Sequence, residues 1–374
     1  MRVLLSGYYG FGNLGDEALL EVIVDRLRAR FPSVELEVLS GTPLATTRTF
    51  GIEAAPRWEW RAVRDAITRA DVVVSGGGGL LQNATSLRSL LYYAGIVREA
   101  VRAKRATMIF AQSVGPLDAL GRFVVRRFCN GVARATVRDE RSRQLLRMLL
   151  PNTPIEKTAD PVFLYDLADA DADLSTEGLG PESGAYAIVS VRKIPSLKLV
   201  APAVARSVDR LALEHGMRAA FLPLGGAPDA EASTEIIRMC RSTPVLLPEC
   251  SLAKAAAILR GAQAVVAMRL HALVLAARFA VPFLALSYDP KVASLCEDLE
   301  YPLAPLWSAG AQRPGDAAID ELVDRLVSQR VALAQHLAER LPAVRASAER
   351  NFDVLGDLLR DWGLGESETR KTTP

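Results

Sequence analysis

Short apolar runs rich in valine, isoleucine and leucine alternate with amphipathic stretches along most of the chain. Near the N-terminus "RVLLSG" reads as a strand, and "DEALLEVIVDRLRARF" as an amphipathic helix reached through a loop. "VELEVLSG", "DVVVSGGGG", "ATMIFAQSVGP" and "ARATVRD" predict further strands. Beyond residue 184 the rhythm resumes with "YAIVSVR", "RAAFLPLGG", "TPVLLPE", "AVVAMR" and "VPFLALSYDP". Strands apolar on both faces and separated by helices indicate parallel sheets, so the fold class is α/β.

The two series of strands predict two Rossmann-like domains, residues 1–165 and 185–316, facing one another across a cleft. Between them "DLADADADLSTEGLGPESG" (166–184) is acidic, small and glycine-rich, the composition of a linker. Residues 317–363 predict closing helices that pack back across the first domain, and 364–374 a disordered tail. A length of 374 residues agrees with more than one core.

Composition removes several function classes. The chain is 50% hydrophobic and 24% charged, with a formal net charge of +2. General nucleic-acid binders carry a strongly basic stripe, so nucleic acid is not expected as a partner. Cys129, Cys240, Cys250 and Cys296 stand far apart without CxxC or CxxH spacing. That argues against a disulfide framework or zinc site and fits a reducing cytoplasm. The apolar run after Arg2 is too short for a signal peptide, and Arg278 and Pro282 interrupt the longest one. Neither a leader nor a transmembrane helix is therefore expected.

In open parallel sheets, ligands sit beyond the carboxyl ends of the strands. Chemically suggestive residues fall there repeatedly: 7–16, 76–83, 112–116, Arg138, Arg192, 269–271 and 289–291. "GYYGFGNLGDEA" satisfies G-x-G-x-x-G through Gly10, Gly12 and Gly15, yet a dinucleotide site is not expected. Asp16 and Glu17 stand where a helix N-terminus should meet a pyrophosphate, and the next strand ends without an acidic residue for a ribose. Two readings of Asp16 stay open. Either it is the N-cap in a tight glycine turn, or the segment serves a polyhydroxylated acceptor, with Asp16 or Asn13 hydrogen-bonding it or Asp16 removing its proton.

"SGGGGLLQNATSLRS" sets four glycines directly after a strand. There Gly77 and Gly78 either admit a ligand to the backbone amides or simply make the turn. Gln82, Arg88 and Gln112 add polar groups, expected as acceptor or loop contacts. Arg138 in "VRDERS" either belongs to a structural ion pair or points toward the cleft.

"AMRLHALVLAARFAVPFLALSYDPK" (267–291) is the sharpest signal, an apolar segment holding Arg269, His271 and Lys291. A buried cation needs an anion nearby. Arg269 stands between a strand and a helix N-terminus, where free amides and a partial positive charge suit phosphate. Lys291 follows the next strand and should reach the same edge. His215 and His336 read as ordinary helix-surface residues, which leaves His271 as the histidine in a site-like context.

With these residues in place, the chain resembles the polysaccharide pyruvyl transferases, most closely the CsaB type that modifies bacterial cell-wall polymers. The resemblance rests on "SGYYGFGNLGDEALL", "VVSGGGGLLQN" with "SLRSLLYY", "AQSVGPL", "VRDERS", "DPVF" and "MRLHALVLAARFAVPFLALSYDPKV", in family order from residue 5 to about 300. Two positions differ from the family pattern: Asn83, where an acidic residue is expected, and Ser113 in the "QSVGP" turn.

The resemblance implies a GT-B-like pair of Rossmann domains with C-terminal helices. It implies transfer of pyruvate from phosphoenolpyruvate onto two hydroxyls of one sugar, as a cyclic ketal with release of phosphate. The acceptor implied is a ManNAc-type residue of a lipid-linked saccharide precursor. Arg138, Arg269 and Lys291 would bind phosphoenolpyruvate, with His271 as acid or base and Asp16 as a second catalytic group. No cofactor or metal is implied, and a cytoplasmic enzyme visiting the inner membrane face is expected. "RWEWRAVR" (57–64), with Trp58 and Trp60 among arginines, suits such an interface. A GT-B glycosyltransferase using a nucleotide sugar and a non-catalytic polysaccharide-binding protein are the alternatives.

Overall fold

The computed structural model describes residues 1–84, 86–167, 174, 178–179 and 184–364. Most of the proposed linker 166–184 and of the tail 364–374 lies outside the described residues. Two units emerge. The first comprises residues 1–11, 16–164 and the chain from Arg345 on; the second comprises Gly12–Gly15 and residues 165–344.

In the first unit the apolar runs form β1 (Arg2–Tyr9), β2 (Glu35–Ser40), β3 (Glu53–Pro56), β4 (Val72–Gly78), β5 (Ala106–Gln112), β6 (Arg134–Val137) and β7 (Ile155–Lys157). They pair in parallel in the order β3-β2-β1-β4-β5-β6-β7. The central strands β4 and β5 are buried along their whole length, which is why their sequences show no alternation. Helices α1 (Leu14–Arg30), α2 (Pro43–Phe50), α3 (Trp60–Arg69), α4 (Leu87–Arg102), α5 (Ala119–Phe128) and α6 (Glu140–Leu149) connect them.

The second unit repeats the pattern. Its strands are β8 (Tyr186–Ser190), β9 (Arg218–Phe221), β10 (Val245–Leu246), β11 (Ala264–Ala267), β12 (Phe283–Ser287) and β13 (Trp307–Ser308), in the order β10-β9-β8-β11-β12-β13. Helices α7 (Leu197–Leu213), α8 (Ala227–Ile237), α9 (Leu252–Gly261), α10 (Leu270–Arg278) and α11 (Pro290–Asp298) lie between strands. After β13 come α12 (Asp316–Ser328) and α13 (Arg330–Asp361), over the residues where closing helices are expected. In both sheets the strand order reverses beside the first strand, at β1/β4 and at β8/β11. Crevices for ligands open at such switch points.

Helix α13 contributes residues to both units. Its earlier part lies in the second, where His336 Nε2 donates to the Leu299 carbonyl at 2.9 Å. From Arg345 on it belongs to the first. Buried Asn351 accepts from Thr158 Oγ1 at 2.7 Å and donates to the Ala159 carbonyl at 2.9 Å. Phe352 meets Phe110 edge-on, with ring centroids 5.2 Å apart.

A buried carboxylate anchors a turn of the second unit. Asp209 in α7 accepts from Arg241 N (2.9 and 3.0 Å), Ser242 N (2.8 Å) and Ser242 Oγ (2.7 Å). Burial by itself raises its pKa, but these donors outweigh that, and the pKa is lowered. Asp209→Ala is expected to destabilise the fold by roughly 2–3 kcal/mol at neutral pH, because it leaves buried donors unmet. A folded pKa below the unfolded one gives stability that is present above the unfolded value and lost as pH falls through the folded value. Urea unfolding of parent and variant at neutral and strongly acidic pH should show the gap narrowing in acid.

Candidate active site

Beyond the carboxyl end of β1, the segment holding Gly12 to Gly15 leads into α1. Asn13 Oδ1 accepts from Gly15 N at 3.3 Å and occupies the N-cap. Asp16 is therefore not the cap; it lies in the first turn of α1. Within the first unit it comes close to the glycine run that ends β4. Gly77 (φ +67) and Gly78 (φ +81) take left-handed backbone that other residues adopt at a cost. A Cβ on Gly78 would stand 3.2 Å from Asp16 Oδ1, and one on Gly77 would stand 2.9 Å from Leu19 Cδ1. Small residues are thus required for α1 to approach the turn. Below them Tyr9, fully buried, donates from its hydroxyl to the Gly76 carbonyl at 2.8 Å. Burial first, then the charges of Asp16 and Glu17, push its pKa well up and keep it a donor.

Among the other expected contacts of the first unit, Gln112 and Arg138 are held by partners inside the unit. Gln112 is completely buried, and its Nε2 donates to the Ser75 carbonyl and Oγ at 2.8 and 2.9 Å. It ties β5 to β4. Arg138 is buried and ion-paired with Asp160 of "DPVF". Its chain neighbour Asp139 instead caps α6, accepting from Ser142 N at 2.8 Å. Gln82 is half-buried in the loop after β4, and Arg88 is exposed on the first turn of α4. Asn83 Oδ1 accepts from Asp118 N at 3.2 Å. The Asp118 carboxylate accepts from Gly121 N at 2.7 Å, and that bond first, then the Asn83 side chain, holds its pKa below the usual range. An acidic residue at 83 would set a second carboxylate beside Asp118, so asparagine fits this loop.

The second unit gathers the denser charge cluster at its switch point. Arg269, at the N-cap of α10, makes a fork to Asp229: Nε to Oδ2 at 2.6 Å and Nη2 to Oδ1 at 2.5 Å. Asp229 is wholly buried in the first turn of α8. The anion that this part-buried cation requires is therefore built into the protein, while Nη1 of Arg269 lies outside this fork. Across the strand ends, Arg192 after β8 donates from Nη1 to the Tyr288 hydroxyl at 3.1 Å. Burial alone would lower its pKa. Tyr288 and the carboxylates of Asp229 and Asp289 more than offset this, and the pKa is raised. Lys291 Nζ lies 3.4 Å from Asp289 Oδ2, and Asp289 caps α11. Three cations thus face two carboxylates. Neither α8 nor α10 has a side-chain cap at its N-terminus; α10 directs its first amides to this edge, while Pro228 in the first turn of α8 has no N–H to offer.

His271, half-buried on the first turn of α10, completes the group. A side chain at Gly15 would fall on its ring, so the backbone of the Gly12–Gly15 segment lies directly against the imidazole. The same segment is tied to the second unit by Leu14 N, which donates to the Leu224 carbonyl at 2.9 Å. Arg269, His271 and Lys291 therefore share one strand-end edge with Asn13 and Gly15, whereas Arg138 and Asp16 belong to the first unit.

Asp229, Tyr288 and Gly225 escaped the sequence reading, and Arg192 was seen only as a strand-end residue. A Cβ on Gly225 would fall on the Arg269 guanidinium and 2.8 Å from Asp229 Oδ2, so the ion pair needs glycine there. The sole sequence signal is "LGGAPDA", two glycines and an acid after a strand. Among the described residues no group of three or more His, Cys, Asp or Glu is placed to hold a metal ion.

Solved structures share the fold at low identity. MnaA from S. aureus in complex with UDP matches with a TM-score of 0.69 at 10% identity, covering 100% of both chains. UDP-GlcNAc 2-epimerase from Neisseria meningitidis, bound to UDP-GlcNAc, gives 0.64 at 10% identity over 95% of this chain and 99% of that one. Anabaena HepE with UDP and glucose gives 0.63 at 11% identity over 96% and 100%. Identities this low speak for the fold alone, which is GT-B-like. No curated protein matches the sequence. The polysaccharide pyruvyl transferase family, however, matches over residues 13–290, from the Asn13 cap through His271 and ending one residue before Lys291. The chain belongs to the polysaccharide pyruvyl transferase family.

Proposed function

We propose that the protein moves pyruvate from phosphoenolpyruvate onto two hydroxyls of one sugar, forming a cyclic ketal and releasing phosphate. The observation that carries this reading is the strand-end edge of the second unit. There Arg192, Arg269 and Lys291 meet two uncapped helix N-termini and a histidine. Phosphate and carboxylate are the anions such an edge recognises. The enol carbon becomes electrophilic once its methylene is protonated, and His271 is the group we assign to that proton. One sugar hydroxyl then adds to the carbon, phosphate leaves, and the second hydroxyl closes the ring. Of the two hydroxyl protons given up, one balances the new methyl group and the other leaves with phosphate. Arg269 and Lys291 offset the leaving charge. Asp16, beside Gly78, is assigned to the acceptor hydroxyl, and the reaction uses phosphoenolpyruvate as co-substrate without a cofactor.

The acceptor we favour is a ManNAc-type residue of a lipid-linked cell-wall polysaccharide precursor, as in the CsaB type that the motifs resemble. The competing reading is glycosyl transfer from a nucleotide sugar, since the structural neighbours named above carry UDP. Incubation of a ManNAc-containing acceptor with phosphoenolpyruvate, followed by mass spectrometry and a phosphate assay, separates the two. The expected result is a ketal mass gain with one phosphate released per ketal. Product formed only with a UDP-sugar would overturn the proposal.

A further inference from the structure

Helices α5 and α6 of the first unit touch one another and carry an unusual outer face. Helix α5 turns Gly121, Val124 and Val125 inward, and Leu120, Arg122, Phe123, Arg126 and Arg127 are exposed. Helix α6 buries Ser142, Leu146 and Leu149 and exposes Arg141, Arg147 and Met148. Leu120, Phe123 and Met148 are 50%, 52% and 69% exposed, so three large apolar side chains stand in water among arginines. The two helices and their caps hold six arginines against three carboxylates, Asp118, Asp139 and Glu140. Asp139 is buried in its cap, and Glu140 holds Arg143 at 2.8 Å.

We propose that this face docks on the surface of an anionic lipid bilayer. The arginines would sit at lipid phosphates, while Leu120, Phe123 and Met148 enter the boundary between headgroups and acyl chains. Cations alone would suit any polyanion; the apolar side chains interleaved with them add affinity only where there is an apolar phase to enter. The segment 57–64 is a weaker candidate. Trp58 and Trp60 are exposed there, but Arg57 is buried, donating to the Gly7 carbonyl at 2.9 Å and the Tyr93 hydroxyl at 3.0 Å. Its remaining arginines, Arg61 and Arg64, are balanced by Glu59 and Asp65. The inference stands independently of the reaction proposed above.

Flotation of the full chain with vesicles of phosphatidylglycerol and phosphatidylcholine, against phosphatidylcholine alone, tests it. The parent should float with the anionic vesicles and be released by high salt. Arg126→Gln with Arg127→Gln should lower partition about 30-fold, from about a factor of five per arginine. Leu120→Ser with Phe123→Ser should lower it about tenfold or more. Trp58→Ala with Trp60→Ala should stay within about twofold of the parent, since neither residue belongs to this face. These side chains are exposed, so circular dichroism and melting should match the parent. Partition unchanged in both α5 variants would overturn the proposal. So would equal binding to neutral vesicles, or capture on soluble polyphosphate combined with an undiminished Leu120→Ser, Phe123→Ser variant.

Discussion

Arg269→Ala is expected to lose about 3–5 kcal/mol of folding stability, because it strands a carboxylate in the core. Asp229 is wholly buried, and the two-pronged bond from Arg269 is its ion pair. The same variant should bind phosphoenolpyruvate roughly 10- to 150-fold more weakly, the value of one charge-assisted hydrogen bond of about 1.5–3 kcal/mol. Arg269→Lys should recover only part of either loss, since a point charge cannot reproduce the fork. The two effects separate in the double variant Arg269→Gln, Asp229→Asn. Removing both charges leaves two amides that can still bond to one another, so most of the stability should return. Affinity for phosphoenolpyruvate should not. Urea unfolding and calorimetric titration of the same three proteins make the comparison. A double variant that binds phosphoenolpyruvate like the parent would reduce Arg269 to a structural partner of Asp229.

For His271→Ala the pattern should reverse. Turnover should fall by about 10²–10⁴ if the imidazole delivers the proton, with affinity for phosphoenolpyruvate within a few-fold of the parent. Solvent deuterium should no longer enter the ketal methyl group through this residue. Gly15→Ala offers an independent check, because its new methyl group would collide with the imidazole while leaving the ring chemically intact. Its turnover should drop toward that of His271→Ala, again with affinity largely kept. Equal losses of affinity in His271→Ala and Arg269→Ala, with turnover retained, would make His271 a phosphate ligand and move the proton donor elsewhere.

The α/β class and ten of the strands are legible in the chain itself. Buried parallel strands need continuous apolar runs, and the helices between them need one apolar stripe, so the two periods stand out. The strands that escaped, β3, β7 and β13, are two to four residues long and lie at sheet edges. So short an edge strand buries little and leaves little pattern. The charged positions were legible for a related reason, because Arg269 and His271 interrupt a segment that is otherwise apolar.

Partners across long sequence separations were not legible. Asp229 precedes Arg269 by 40 residues, and nothing between them marks the pair. Arg138 found Asp160 rather than its neighbour Asp139, because the Asp139 side chain is drawn to the open amides of α6. By itself the sequence determined most element types and the strand-end positions of the candidate residues, which follow from local periodicity and spacing, while its motifs carried the resemblance to the family. Tertiary structure alone decided which carboxylate each cation holds, that Gln112 is interior, and that Gly15 abuts His271. Those outcomes depend on distances between segments that only a folded sheet brings together, and on backbone approaches that leave no room for a Cβ.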